Sequence, residues 1–241
     1  MGAVSGRRLL RLSRPSLPPL FDVERFRSKP GRTVVEQAVP GPTLVLGSTQ
    51  DDGLVSAPAL AAGGVQLARR RSGGGAVLLV PGEQLWLDAW IPRDDPLWVT
   101  DVVEAAEWVG AWWVDALASC GLSGLDVHRG RSEPGLVGDV VCFAGRGPGE
   151  VFVGRRKVVG LSQWRARQGA LFSSCAYLRW DAAVLAGLLV EGAGGAAGPP
   201  DGGPLRRELE GVAVGVAELA PPVEDLGVLR DALVGSFSSL T

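Results

Sequence analysis

The stretch Arg69-Arg70-Arg71-Ser72-Gly73-Gly74-Gly75-Ala76-Val77 decides how this chain is read. Three consecutive glycines remove every Cβ, so the backbone can approach a ligand closely and take φ > 0. Their N–H groups can converge on phosphate or carboxylate oxygens as an anion-binding nest. The arginines before them add forked donors. A plain surface turn is the alternative reading of a lone G-G-G. The stretch is neither G-x-x-x-x-G-K-[ST] nor a G-x-G-x-x-G that opens a helix, which disfavours a P-loop kinase and a Rossmann dehydrogenase.

Upstream of the glycines, residues 43–47 (T-L-V-L-G) read as a buried strand that ends in the loop Gly47-Ser48-Thr49-Gln50. Residues 55–63 read as a short helix, and 65–70 as a strand running into the glycines. Downstream, 76–80 and 84–91 read as a strand pair broken by Pro81-Gly82. Residues 101–122 read as the clearest helix, capped by Thr100 or Asp101, with Glu104 in its first turn and Gly121 at its end. Within it, Trp108 and Trp112, and Val109 and Trp113, stand at i, i+4 spacing, which assigns the tryptophans to packing.

Further strands are expected at 125–129, 137–143 and 170–180, with a hairpin formed by 150–153 and 157–163 around Gly154-Arg155-Arg156. Helices are expected at 22–27, 181–191, 205–219 and 223–237. This mixture without a regular βαβ repeat gives an α+β fold, a mixed β-sheet flanked by helices. Residues 1–30 read as an N-terminal arm, partly loose, and 31–191 as the core. The Gly/Pro-rich 192–203 reads as a linker, and 204–241 as terminal helices packed on the same domain.

Composition bounds the function. The 241 residues are 46% apolar and 21% charged, a globular balance. A net charge of −2 gives no nucleic-acid footprint. The longest apolar run, 182–190, falls far short of the roughly 20 residues of a membrane span. Arg7, Arg8, Arg11 and Arg14 are followed by Pro15, Pro18 and Pro19, not by a signal-peptide core. Three widely spaced cysteines argue against a disulfide scaffold and for a reducing cytoplasm.

Of 24 basic residues only Lys29 and Lys157 are lysine. A GC-rich codon bias accounts for the arginines and makes a retained lysine informative. Lys157 follows Arg155-Arg156 at a strand start, where a rigid scaffold can aim a compact point charge into a pocket. A solvent-facing turn lysine is the bland alternative.

Taken together, R-R-x-S-G-G-G-A-V followed by R-K-V-x-G-x-x-Q resembles the lipoate–protein ligase and octanoyl/lipoyl transferase superfamily, the biotin/lipoate protein ligase catalytic domain. The resemblance spans about 42–234, including T-L-V-L-G-S-T-Q before the glycines. It implies a biotin/lipoate ligase-like fold with a class II aminoacyl-tRNA synthetase-like core. It further implies that Arg70, Ser72, Gly73, Gly74, Gly75 and Ala76 line an acyl-adenylate pocket, and that Lys157 contacts the acyl carbonyl and phosphate oxygens. Gly160 would leave room beside the acyl chain. ATP, Mg²⁺ and lipoate or octanoate are the implied cofactors and substrate. The implied acceptor is a lysine on a lipoyl carrier domain of a 2-oxo-acid dehydrogenase complex or on the glycine cleavage H protein. No metal ligand is implied among the protein's own residues.

The family's histidine and acidic residue after G-G-G-A-V are replaced by Leu79 and Val80, and its later H-G by Leu-Phe-Ser-Ser-Cys-Ala-Tyr at 171–177. The lone His128 reads as structural. Cys142, before Phe143, stands where the thioester-forming transferases of the superfamily carry a nucleophile, and Arg146, Arg155, Arg156 and Lys157 would favour a thiolate. A buried strand cysteine is the other reading. Cys120 and Cys175 read as packing. Three functions stay open: an ATP-dependent ligase first, an ATP-independent transferase using Cys142, and a catalytically degenerate acyl- or adenylate-binding protein. Lys157→Ala is expected to remove transfer and leave the fold intact.

Overall fold

The computed structural model describes residues 24–27, 29–70, 72–190, 203–219, 223, 225–237 and 239–240. Their strands are β1 (Thr33–Glu36), β2 (Thr43–Leu46), β3 (Gln66–Arg69), β4 (Val77–Leu79), β5 (Gln84–Pro92), β6 (Leu125–Val127), β7 (Val151–Val153), β8 (Arg156–Ala166) and β9 (Gly169–Tyr177). Their helices are α1 (Glu24–Arg27), α2 (Ala57–Gly63), α3 (Val102–Ser119), α4 (Ala182–Gly187), α5 (Gly203–Glu210), α6 (Val216–Leu219) and α7 (Gly227–Phe237).

Two sheets form. The large one runs β1-β5-β9-β8-β7-β6, every pair antiparallel. The small one runs β3-β2-β4, with β2 parallel to β3 and antiparallel to β4. The α+β class is as expected, and the mixed pairing is confined to the small sheet.

Strand side chains alternate between faces, and both faces of β5 and β9 are covered. Leu85, Leu87, Ala89, Ile91, Phe172 and Ala176 point into the cluster that holds Ala105, Val109, Trp112, Trp113 and Ala116 of α3. Trp86, Cys175 and Tyr177 point the other way, against Val45, Val77 and Leu79 of the small sheet. Asp101 caps α3, its Oδ1 accepting from the N–H groups of Val103 and Glu104 at 2.8 and 3.1 Å. The tryptophans pack as their spacing predicts: the Trp113 indole donates to Ser174 Oγ at 2.9 Å, and Trp112 lies 5.2 Å from the Phe237 ring of α7.

Between β1, β5 and β9 sits one buried carboxylate. Asp88 accepts from Ser173 Oγ at 2.6 Å, from the Trp86 indole at 3.3 Å and from the Gln37 amide, with the Arg25 guanidinium 3.8 Å away. Burial pushes its carboxyl above the ordinary value despite these donors.

Three expectations are corrected. First, β4 and β5 are not partners: the turn at 81–83 carries the chain from the small sheet to the large one. Gln84 instead reaches back with its side chain, accepting from Val80 N at 2.7 Å and donating to Leu78 O at 3.1 Å. Second, 137–143 is no strand. Gly135 takes φ +67°, and a Cβ on Gly138 would run into the Pro134 carbonyl. The chain therefore folds on itself and ends in a 3₁₀ turn at Cys142–Ala144, and the Ala76–Val141 bridge is its sheet-like contact.

Third, the helix expected at 205–219 is interrupted after Glu210, so α5 and α6 are separated by a turn at 211–212 and the isolated parallel bridge of Ala213 to Lys157. Of the expected arm, only 24–27, 29 and 30 fall among the described residues. The expected linker falls outside them except for Gly203, which begins α5.

Candidate functional site

The glycine loop is held in shape from within. Arg70, 5% exposed, turns its guanidinium back over the loop, and Nη2 donates to the carbonyls of Gly73 and Gly75 at 2.9 and 2.8 Å. Gly74 takes φ +95°, which only glycine adopts without strain. Gly75 is pressed against the main chain of Val141 and Cys142: a Cβ there would lie 2.5–2.6 Å from their backbone atoms. Neighbouring segments complete the frame. Ser48 N–H donates to Ser72 O at 3.0 Å, and Gln50 Nε2 donates to the carbonyls of Asp139 and Val140 at 2.8 and 3.0 Å. Arg71 lies outside the described residues.

Two polar atoms of this frame are buried without a hydrogen-bond partner in the structure, Arg70 Nη1 and Ser72 Oγ. Buried donors are normally satisfied. A pair left open beside a glycine cradle matches a site that takes an oxyanion.

Lys157 stands near the start of β8 and is 1% exposed, so it is not the solvent-facing turn lysine of the alternative reading. Its ammonium donates to Glu150 Oε1 at 2.8 Å and to the Cys142 carbonyl at 3.0 Å, and lies 2.7 Å from Glu150 Oε2. The rings of Phe143 and Phe152 flank it, with centroids 5.4 and 5.9 Å from Nζ. Its main chain is bonded on both sides by the 212–214 run: its N–H to Val212 O at 2.8 Å and its C=O to Val214 N at 3.0 Å.

Cys142 joins the two halves of the site. Its N–H donates to Ala76 O at 3.0 Å, at the end of the glycine loop, while its C=O receives the Lys157 ammonium. Its sulfur faces the loop, 4.0 Å from where a Cβ on Gly74 would stand. Cys142 is half-buried, in a 3₁₀ turn and not in a strand. Cys175 packs in the core between the sheets, where burial pushes its thiol far up. Cys120 caps the C-terminus of α3. His128 contacts the Arg131 carbonyl at 3.0 Å and the Phe152 ring, and joins neither the loop nor the lysine.

Gly160 is also in place, but its open side is filled. The Phe143 ring packs so close that a Cβ on Gly160 would lie 3.0–3.1 Å from it. Phe143, Tyr177 and Trp180 form an aromatic trio with centroid separations of 4.9, 5.6 and 5.2 Å. On one side of the trio lies a largely apolar cavity of about 350 Å³ bounded by Leu78, Tyr177, Trp180 and α4, and on the other a more polar one of about 390 Å³.

Glu150, Phe143 and Val212–Val214 escape the sequence reading. The signal for Glu150 was present: it precedes Lys157 on the facing arm of a tight hairpin, where the two side chains meet. Burial pushes the Glu150 carboxyl upward, with Lys157, Gly147 N–H and Leu161 N–H acting against it.

Comparison with known proteins bears on this arrangement. The family model of the lipoyl protein ligase A/B catalytic domain matches residues 25–201, well over half of the chain. The chain belongs to that family. No curated protein sequence matches it. Among solved structures of this fold, the putative lipoate protein ligase Ta0514 of T. acidophilum, with bound lipoic acid, superposes with a TM-score of 0.71 at 20% identity, covering 98% of this chain and 85% of that one.

A bi-partite lipoate protein ligase from Thermoplasma acidophilum, studied with its E2 lipoyl domain, gives 0.73 at 18% identity over 97% and 82%. A lipoate-protein ligase A bound with ATP gives 0.70 at 20% identity over 98% and 85%. The lipoyl-ligase fold thus extends over nearly all of the chain, and the glycine loop and Lys157 both fall within the matched residues.

Proposed function

We propose that this protein is an ATP-dependent lipoate (or octanoate) protein ligase, which activates the acid as an acyl-adenylate and passes the acyl group to a lysine of a lipoyl carrier domain. The observation that carries this reading is the convergence on Cys142: one residue is bonded to the glycine loop through its N–H and to the Lys157 ammonium through its C=O. A cation and a side-chain-free anion cradle are thereby held together on rigid main chain. Family membership and fold neighbours that bind lipoic acid or ATP support it.

Arg70 and Ser72 would hold the substrate's anionic group with the partnerless Nη1 and Oγ, and the Gly73–Gly75 amides would complete the nest. Lys157 exchanges the Cys142 carbonyl for a substrate oxygen and keeps Glu150 as its counter-ion, so the charge that develops on the transferring group meets a preoriented ammonium. ATP supplies the adenylate leaving group that makes the carboxyl reactive. Mg²⁺ would be held mainly by the phosphate oxygens, since it keeps several waters and commonly takes substrate phosphates with one or two carboxylates. The acceptor is a lipoyl domain of a 2-oxo-acid dehydrogenase complex or the glycine cleavage H protein, met in the cytoplasm.

The position of the Cys142 sulfur, facing the cradle, favours a second reading: acyl transfer from a carrier thioester through an acyl-Cys142 intermediate without ATP. Mass spectrometry of a lipoyl domain incubated with the protein and either octanoate, with and without ATP, or octanoyl-carrier protein separates the readings. Modification that requires ATP is expected. Modification from octanoyl-carrier protein alone, with an adduct on Cys142, selects the second reading. Loss of both leaves an acyl- or adenylate-binding protein.

A further inference from the structure

Gly160 is the only glycine of β8 and stands three residues beyond Lys157. Its cross-strand neighbour is Cys175, and that of Cys175 is Trp86, so the three form a row across β8, β9 and β5. Trp86 and Cys175 face the small sheet, where Val45, Val77 and Leu79 stand opposite. The row is thus the floor of an apolar layer between the sheets, with bare backbone at its Lys157 end.

The Phe143 ring covers that bare backbone. Two of its carbons lie 3.0 and 3.1 Å from where a Cβ on Gly160 would stand, and the residue is 3% exposed. Tyr177 meets the ring edge-on at 4.9 Å and Trp180 stacks on it at 5.6 Å. The backbone beneath is a single 3₁₀ turn, Cys142–Ala144, and Val141 before it makes no side-chain cap. Phe143 also borders the cavity of about 390 Å³, together with Gly135, Gly145 and Val212. A cavity of about 150 Å³ takes a benzene molecule. The volume therefore suffices for the ring to turn there about its side-chain torsions, while Cys142 keeps its main-chain bonds to Ala76 and Lys157.

We infer that Phe143 selects the length of the acyl chain: its ring holds the place beside Gly160 and yields it to a chain by turning into the neighbouring cavity. A chain too short to reach Gly160 binds without moving the ring. A longer one binds only those molecules whose ring has turned, and its apparent affinity is lowered by their fraction. Each further CH₂ buried in the layer strengthens binding about fourfold. A medium-length chain such as octanoate offsets the cost of the turn, and a chain that just touches the ring does not. The inference rests on the acyl-transfer reading above, in its ATP-dependent or its Cys142 form, and adds a selection among acids that neither form contains.

The test is titration of the full chain with octanoate and with butanoate, followed by ligand-observed NMR, with acyl transfer to a lipoyl domain measured in parallel. Phe143→Ala removes the ring. It is expected to bind octanoate about tenfold more tightly, and butanoate as the wild type does. Phe143→Leu keeps more of the buried volume and serves if the first variant folds poorly. Its expected gain for octanoate is about threefold. Unchanged or weaker octanoate binding makes the ring a fixed wall, and equal gains for both acids separate it from chain length. Either result overturns this inference, and wild-type transfer to the lipoyl domain leaves the proposed function standing. A wild type that binds neither acid and modifies no lipoyl domain overturns both.

Discussion

The ammonium of Lys157 and the carboxylate of Glu150 meet across the β7–β8 hairpin at 2.7 and 2.8 Å, both inside the protein. Taking one partner from a buried pair costs about 3–5 kcal/mol, because the other charge stays uncompensated. On that cost, Lys157→Ala is expected to lose stability as well as transfer. The neutral double variant Lys157→Met/Glu150→Gln is the cleaner probe. It is expected to regain most of the thermal stability lost in Lys157→Met while both variants lack transfer, by roughly 10²-fold or more. Thermal melts read beside lipoyl-domain mass shifts check it. A double variant with near-native transfer removes Lys157 from the chemistry.

The three glycines are not equivalent. Nothing lies within 4 Å of a Cβ on Gly73, whereas a Cβ on Gly75 meets the backbone of Val141 and Cys142 at 2.5–2.6 Å. Gly73→Ala is therefore expected to keep its melting temperature. Gly75→Ala has to push the loop away from Cys142, which should cost about 1–3 kcal/mol in stability and about 10²-fold in turnover through misplacement. Equal effects at the two positions would contradict the packing described.

Cys142 offers its main chain to both halves of the site, so its side chain can be tested alone. Cys142→Ser keeps both hydrogen bonds of the backbone. ATP-driven lipoylation is expected to survive the change with less than about a tenfold loss in kcat. Abolished transfer together with an acyl adduct on the wild-type thiol would instead make the sulfur the nucleophile.

Asp88 predicts a pH dependence away from the site. Burial raises its carboxyl above the ordinary value, so between that value and the raised one the folded protein binds more protons than the unfolded chain. Stability accordingly falls as pH rises through this window. The melting temperature should decline as pH rises from the ordinary carboxylate value through the raised one, and Asp88→Asn should flatten that slope. An unaltered slope in the variant assigns the dependence to other groups, Glu150 first among them.

Much of this architecture was legible in the residues. T-L-V-L-G, the tryptophan-bearing α3 and the β7–β8 hairpin announce themselves through apolar runs, i, i+4 spacing and a Gly-Arg turn, which are local signals. The glycine triplet and the rare lysine were legible for the same reason, as departures from the local composition. What escaped depends on distant partners. Residues 137–143 carry strand-like Val-Val-Cys-Phe, yet the close approach of Gly138 to Pro134 and of Gly75 to Val141 folds them as a loop. β4 and β5 sit side by side in sequence, but Pro81-Gly82 sends them to different sheets. Glu150 could be seen as an acid in a hairpin; that it pairs with Lys157 follows from the register, which a bulge between Val151 and Phe152 shifts.

The segment 212–214 gives Lys157 the backbone partners Val212 O and Val214 N. A nascent chain that has exposed the glycine loop, Cys142 and the hairpin still lacks them. The site is completed only once residues 212–214 have emerged and docked against β8. A premature stop ahead of residue 212 would thus leave a protein with every recognisable motif and an unfinished lysine.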